Sequence, residues 1–356
     1  MRKLIFIFTL VLSTPLLWAQ VDTNFVQRFP DKLVLSPYIS SYSNSIQFIP
    51  KSIPGDSLQI PLTYEPNLRG GFGISVSYRI IDFSLGVRQK ITEDLEKKFG
   101  KSSQVGLSFR LWASRKVLTE FNFQSIKGYA NLSTPQYDTI NYAREYPYQL
   151  RPDFSVQYLK IRMVYQSNPD KFSYRSSFAF SERQKRRAGG FLLNVQLYAQ
   201  NAQSDSSFIP YQIREDYGDF GQMNQMAIAA AGIAPGLGGT LTKGRWFLTG
   251  VLFLGVDVQR LGYDVPGSSA LRTETKMAAM ADLRISWGYN SPRFFFGVQS
   301  WNDYNFLRPT PFKINAVFTR GLISMGWRFT SPKLLDKSYD FAVKTIIPKR
   351  YRHFMY

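Results

Sequence analysis

The 356-residue chain has no cysteine and a single histidine. Without cysteine, neither a disulfide framework nor a thiolate metal site can form, and no lipid anchor can attach through sulfur. The lone histidine, His353, lies close to the C-terminus. The body of the chain therefore offers no imidazole base for a serine or cysteine nucleophile. One imidazole without a thiol also argues against a transition-metal centre. We expect neither an enzyme nor a cofactor. Long apolar runs are missing too: beyond the first residues, no segment approaches the ~20 apolar residues a membrane helix needs. Negative charge is scarce, with 25 acidic against 44 basic side chains and a formal charge of +19.

What is present begins with a leader. Arg2 and Lys3 precede an apolar stretch from Leu4 to Leu12, and Leu17-Trp18-Ala19 precedes Gln20. A charged start, a short apolar core and a small residue at the cut are the parts of a secretion signal, so residues 1–19 are expected to be removed. Export argues against nucleic acid as the partner for the basic charge. Lipopolysaccharide phosphates at an outer membrane, or an anionic solute, suit it better. Aromatic residues make up 16% of the chain, 21 of them Tyr, which fits girdles where amphipathic rings sit between lipid and water.

The stretch Lys276–Tyr289 alternates without a break. Met277, Leu283, Ile285, Trp287 and Tyr289 share one face, whereas Lys276, Asp282, Arg284 and Ser286 share the other. Successive side chains of a strand point to opposite faces, so this strand has an apolar side and a charged side. Comparable runs lie at about 33–48, 58–79, 82–90, 102–113, 116–130, 152–167, 222–241, 245–264, 293–304 and 313–329. With one interrupted element at 171–202 they make about 12 strands. The predicted fold is all-β: a single antiparallel transmembrane β-barrel of outer-membrane type over 20–329, followed by a basic tail, 330–356. Longer connections are expected at 49–57, 91–101, 131–151, 203–221, 265–270 and 305–312, alternating with tight turns. Asp22–Phe29 reads as a short capped turn or helix, and 91–101 as a loop with a helical turn capped by Thr92. The acidic loop 203–221 is expected to be solvated, with Ca²⁺ binding as the alternative.

The interruption carries the sharpest expectation. Phe172, Tyr174, Phe178 and Phe180 would face outward on even numbers, but Phe191, Leu193, Val195 and Leu197 on odd ones. A phase change inside one strand requires a bulge or a larger excursion. Arg183, Gln184, Lys185 and Arg186 sit at the break, where a cation facing mid-bilayer costs ~2–4 kcal/mol. We expect 181–190 to fold inward against the small residues Gly232, Gly236 and Gly238 and to narrow a pore; the alternative is a basic turn at the rim. Among inward-facing charges, Asp82, Glu120, Asp257 and Asp282 are outnumbered by cations that include Arg110, Lys160, Arg162 and Arg284. Such a lumen is either filled by paired side chains or forms a basic constriction that favours anions.

Several short segments carry a family resemblance: Asp22–Phe29 followed by Asp31-Lys32, Tyr64-Glu65-Pro66-Asn67, Gln184-Lys185 to Gly189-Gly190, Gly288-Tyr289-Asn290-Ser291 and Gly326-Trp327-Arg328-Phe329. Over residues 20–329 the chain resembles the Bacteroidetes family DUF4421, which implies an outer-membrane barrel of unassigned activity. Arg187 departs from the serine commoner at that place, and the tail lies beyond the family's core. The functional expectation is a narrow channel or binding barrel for an anionic or amphipathic solute, with Arg183, Gln184, Lys185, Arg186, Asp282 and Arg284 lining the lumen. The alternative is a non-conducting accessory barrel whose tail docks a periplasmic protein or the cell wall. Both termini are expected in the periplasm of a Gram-negative bacterium.

Overall fold

The computed structural model describes residues 24–50, 60–142, 146–264, 272–307, 312–346 and 349. The expected signal peptide, His353, all of the loop at 265–270 and parts of those at 49–57, 131–151 and 305–312 lie outside them. The described residues form fifteen strands: β1 (Val26–Arg28), β2 (Lys32–Pro50), β3 (Leu62–Glu65), β4 (Gly71–Tyr78), β5 (Ile81–Arg88), β6 (Ser103–Trp112), β7 (Val117–Asn131), β8 (Gln149–Gln166), β9 (Glu182–Gln184), β10 (Ala188–Gln203), β11 (Gln225–Lys243), β12 (Trp246–Asp264), β13 (Arg272–Asn290), β14 (Phe294–Leu307) and β15 (Phe312–Thr330). Among the described residues there are also four α-helices, α1 (Glu93–Phe99), α2 (Thr134–Tyr137), α3 (Tyr174–Phe178) and α4 (Lys333–Ile346), the last of them following β15.

Twelve of the strands close a ring of antiparallel neighbours, β2-β4-β5-β6-β7-β8-β10-β11-β12-β13-β14-β15, with β15 pairing back onto β2. The alternation that predicted these strands also sets which way each faces. On β13, Met277, Ile285 and Trp287 are exposed on the outer surface, and Asp282, Arg284 and Ser286 are buried within. Closure leaves the wall no edge between its first and last strands, which a membrane-spanning sheet requires. Along β12–β15 one end of the outer surface carries an aromatic girdle. Trp246 stacks on Trp287 at 5.4 Å and meets Tyr289 at 5.5 Å, and Phe294 meets Trp327 at 5.5 Å.

The two ends of the barrel differ. One has short connections, such as Gly244-Arg245 between β11 and β12, and also receives both described ends of the chain. The other has the longer loops, including α1 and α2. We call them the turn end and the loop end.

Three expectations about local structure are corrected. The single strand expected at 58–79 is two, because the chain leaves β3, which pairs with β7 at the loop end, before β4 begins. The segment Asp22–Phe29, read as a short capped turn or helix, has a turn at Asn24-Phe25 followed by strand β1, whose backbone pairs with β9. The aromatics Phe172, Tyr174, Phe178 and Phe180 do not face lipid. All four are at most 3% exposed inside the barrel, because the chain leaves the wall between β8 and β10 and enters the lumen.

The tail folds as well. Helix α4 lies across the β4–β5 turn, where Arg79 pairs with Asp340 at 2.9 Å and Tyr339 packs edge-on against Tyr78 at 5.6 Å. Asp336 accepts hydrogen bonds from the Tyr78 and Ser331 hydroxyls. These donors, together with Arg79, hold its carboxyl below the usual carboxylate range. Leu334 and Phe341 remain exposed on the helix's free side.

Candidate functional site

The inserted segment is a plug. Ser173 caps α3 by accepting a hydrogen bond from the Ser176 amide and donates to Glu182. The Gln184 side chain ties the plug's start to its end, accepting from the Ser173 amide at 2.9 Å and donating to the carbonyls of Lys171 and Arg186. Strand β1 then flanks the exit strand β9, and Arg28 bridges Asp170 at 3.0 Å and Glu182 at 3.5 Å. Far strands of the wall hold the plug's backbone: Ser286 and Gln299 both donate to the Ser177 carbonyl, and Arg328 donates to that of Phe180 at 2.9 Å. Phe180 adopts a left-handed backbone, φ 55°, uncommon for an aromatic residue. It is held there by stacking on Phe295 at 4.2 Å.

The small-residue patch takes part, though against a different segment. Phe172 of the plug covers Gly238 and Gly190, where an added Cβ would come within 3.0 Å and 3.6 Å of its ring. Gly236 faces Phe253 and Gly232 faces Met280. The inward fold expected for 181–190 is thus made mainly by 172–182. Arg183 lies beside the Gly244 turn, and Lys185 and Arg186 are exposed at the turn-end rim. They form no constriction, because β9 and the return to the wall carry them to water before β10 starts. Gln184 alone of that group is buried, as a tie.

Above the plug the lumen is crossed by a buried ionic network. Arg284 reaches Glu120 at 3.0 Å and Asp282 at 3.1 Å and also contacts the Tyr174 hydroxyl of the plug. Arg162 reaches Asp282 at 2.7 Å, Asp303 at 2.9 Å and Glu120 at 3.5 Å; Lys160 reaches Asp303 at 3.2 Å. The three cations Lys160, Arg162 and Arg284 match the three carboxylates Glu120, Asp282 and Asp303. The network is therefore balanced, which corrects the expected cationic bias at this level. Sequence reasoning placed Asp282 and Arg284 here and missed Asp303. Its odd number on β14 puts it on the inward side with Phe295, Gln299 and Trp301, so strand parity carried the signal.

Beside the network lies a cavity of about 100 Å³. Its far wall is rich in hydroxyls, among them Ser36, Ser75, Ser84 and Ser108, and the plug residues Phe178–Phe180 line it too. Arg320 of β15, also missed although its parity is inward, lines the same cavity as Asp82, Glu120 and Asp303 but forms no ion pair with any carboxylate among the described residues. Its guanidinium stacks on Tyr42 and Trp301, each at 5.4 Å, and its Nε is buried without a hydrogen bond.

The loop end is closed by 204–224, whose apolar residues are packed inward, so the segment is not the solvated loop expected from sequence. Phe208, Ile209, Tyr217, Phe220 and Met223 are all buried in one cluster with Phe48, Tyr64 and Phe154. The Tyr217 hydroxyl donates to the carbonyls of Phe48 and Ile60 at 3.1 and 3.0 Å. The lumen is thus capped by this lid, crossed by the network and filled at the turn end by the plug.

The family model "Domain of unknown function (DUF4421)" matches residues 20–329. No curated protein matches the chain. Solved structures similar to it include the outer membrane protease OmpT from Escherichia coli, at 8% identity and TM-score 0.37 over 85% of this chain and 98% of that one. The translocator domain of the autotransporter NalP from Neisseria meningitidis is similar at 11% identity and TM-score 0.32, over 87% and 90% of the two chains. The toluene transporter TodX from P. putida is similar at 9% identity and TM-score 0.28, over 85% and 92%.

Proposed function

The chain belongs to the DUF4421 family, and from that premise we propose that it is a closed outer-membrane barrel that binds an anionic solute in its lumen rather than an open pore. The observation that carries the reading is Arg320: an unpaired guanidinium facing a polar cavity of about 100 Å³, beside a network whose other charges neutralise one another. A half-buried guanidinium that gives up part of its hydration without gaining a counter-ion is unfavourable, and an anion in the cavity would supply one. In this reading the protein binds and does not catalyse. Short turns are periplasmic and longer loops external in bacterial barrels, so the turn end, both termini and α4 face the periplasm. In the same reading the chain's excess of basic side chains meets lipopolysaccharide phosphates.

Planar-bilayer recording tests the closed state. The wild-type protein is expected to show no steady ion conductance, and neutralising Arg183, Lys185 and Arg186 should not change that, since they lie at the rim. A stable open-channel current through the wild-type protein would overturn the proposal. A second reading, the accessory barrel, is favoured by the free side of α4, where Leu334 and Phe341 stand exposed beside Lys337 and Lys344. It requires that deleting 333–346 abolish co-sedimentation with peptidoglycan; unchanged sedimentation rejects it.

A further inference from the structure

The wall is not evenly paired. Strand β4 pairs with β5 along all of Gly71–Tyr78, and β6 pairs with β7 from Ser103 to Trp112. Between β5 and β6 the ladder holds only three pairs at the turn end: Ile81 with Leu111, Asp82 with Arg110 and Phe83 with Phe109. From there toward the loop end, Ser84–Arg88 and Ser103–Ser108 run on as strands without bridging each other. Each edge has a glycine on its inward face, Gly86 on β5 and Gly106 on β6, so little side chain obstructs the slot. The hydroxyls of Ser84 and Ser108 turn away from it, to Ser75 at 3.1 Å and Asn122 at 2.9 Å.

The slot lies within the lipid-facing belt. Leu85, Val87, Val105 and Leu107 on its outer rim are between 46% and 72% exposed. Strand edges open to hydrocarbon are avoided because each unsatisfied backbone group costs several kcal/mol. Here the edges back onto polar space: Ser84, Ser108 and Arg110 border the same cavity that holds Arg320. Tyr38 marks the inner mouth, lying over Gly86 and donating to the Leu85 carbonyl at 3.2 Å. An apolar rim, a polar throat and an unpaired cation at the back describe a site for a molecule with the same three parts.

We propose that the β5–β6 slot is a lateral opening through which an anionic amphiphile, with a carboxylate or phosphate head and an alkyl chain, places its head at Arg320 and leaves its chain in the bilayer. This rests on the anion-binding reading above and adds the ligand class and the route. The head completes the ion pair that Arg320 lacks, and the first carbons of the chain cover the slot's unpaired edges. The chain reaches lipid between Leu85 and Leu107.

Native mass spectrometry of the full barrel in a non-ionic detergent tests this, with laurate, dodecyl phosphate and inorganic phosphate as probes. One laurate or dodecyl phosphate should bind, with inorganic phosphate at least about tenfold weaker because it lacks the chain. Arg320→Gln should weaken the amphiphiles about tenfold through loss of a charge-assisted contact. Leu85 would stand opposite Leu107 if the register continued, and the chain has no native cysteine, so Leu85→Cys with Leu107→Cys provides a staple. The oxidised staple should lose amphiphile and regain it on reduction. Gly106→Trp, which fills the slot without a covalent bond, should give the same loss if the cysteines do not join. Amphiphile bound equally by stapled or filled and wild-type protein overturns the lateral route. Inorganic phosphate bound as well as dodecyl phosphate also overturns it but leaves the anion site standing. Binding of none of the three probes overturns both.

Discussion

Replacing Arg284 by Met tests whether the lumen network is a structural element or a bystander. The Arg284 side chain is fully buried. It makes two bidentate pairs: Nη1 and Nη2 to Glu120 at 3.2 and 3.0 Å, and Nε and Nη2 to Asp282, both at 3.1 Å. Asp282 keeps Arg162 at 2.7 Å, but Glu120 keeps only the longer contact to Arg162 at 3.5 Å. The substitution leaves three carboxylates facing two cations inside the barrel. Removing one partner of a buried pair costs ~3–5 kcal/mol. With two carboxylates stripped of bidentate partners, the upper half of that range is expected. The assay is urea unfolding of the folded barrel in lipid vesicles, followed by tryptophan fluorescence. Glu120→Gln combined with Arg284→Met restores balance, with Lys160 and Arg162 facing Asp282 and Asp303. The double variant should therefore recover at least ~1 kcal/mol relative to the sum of the single losses. A single variant within ~0.5 kcal/mol of wild type, or a double variant equal to that sum, would refute the reasoning.

Two further predictions concern the turn end. Gly297→Leu should loosen the plug, because a Cβ there would stand 2.4 Å from the Phe180 ring. A loss of ~1–3 kcal/mol and faster proteolysis at 183–187 are expected, and an unchanged cleavage rate would count against Phe180 as the plug's anchor. Docking of α4 should be acid-sensitive. The Asp336 carboxyl titrates below its ordinary value because Tyr78 and Ser331 donate to it, so its contribution is complete above about pH 4. That contribution is lost as the pH falls through the lowered value. Hydrogen exchange in 333–346 should accelerate only in that acid range, and Asp336→Asn should show the fast rate at neutral pH.

The wall was legible because each strand, read alone, declares its two faces. Met277 through Trp287 and Ile323 through Phe329 signal lipid by spacing alone, and the ring count follows from adding such segments. The plug was not legible for the same reason. Phe172, Tyr174, Phe178 and Phe180 repeat at even spacing, and a five-residue helix is too short to show a period of its own, so the pattern imitates a lipid-facing strand. The phase change at Phe191 did locate the excursion, but not which part of it enters the lumen. Parity found Asp282 and Arg284 and would have found Asp303 and Arg320. Their pairing, or its lack, depends on contacts between strands far apart in sequence. The β5–β6 slot left no mark at all, because both strands alternate as well as their paired neighbours do.

The plug's position along the chain governs how this molecule could ever open. It follows β8 and precedes β10, tethered to the wall on both sides, while its backbone is held by Ser286, Gln299 and Arg328 from β13, β14 and β15. It cannot be released from the cylinder as a separate piece. Any opening of the turn end must therefore be a swing of this tethered segment, and it must first break hydrogen bonds to three strands of the far wall. The segment that blocks the lumen is a hinged door and not a cork.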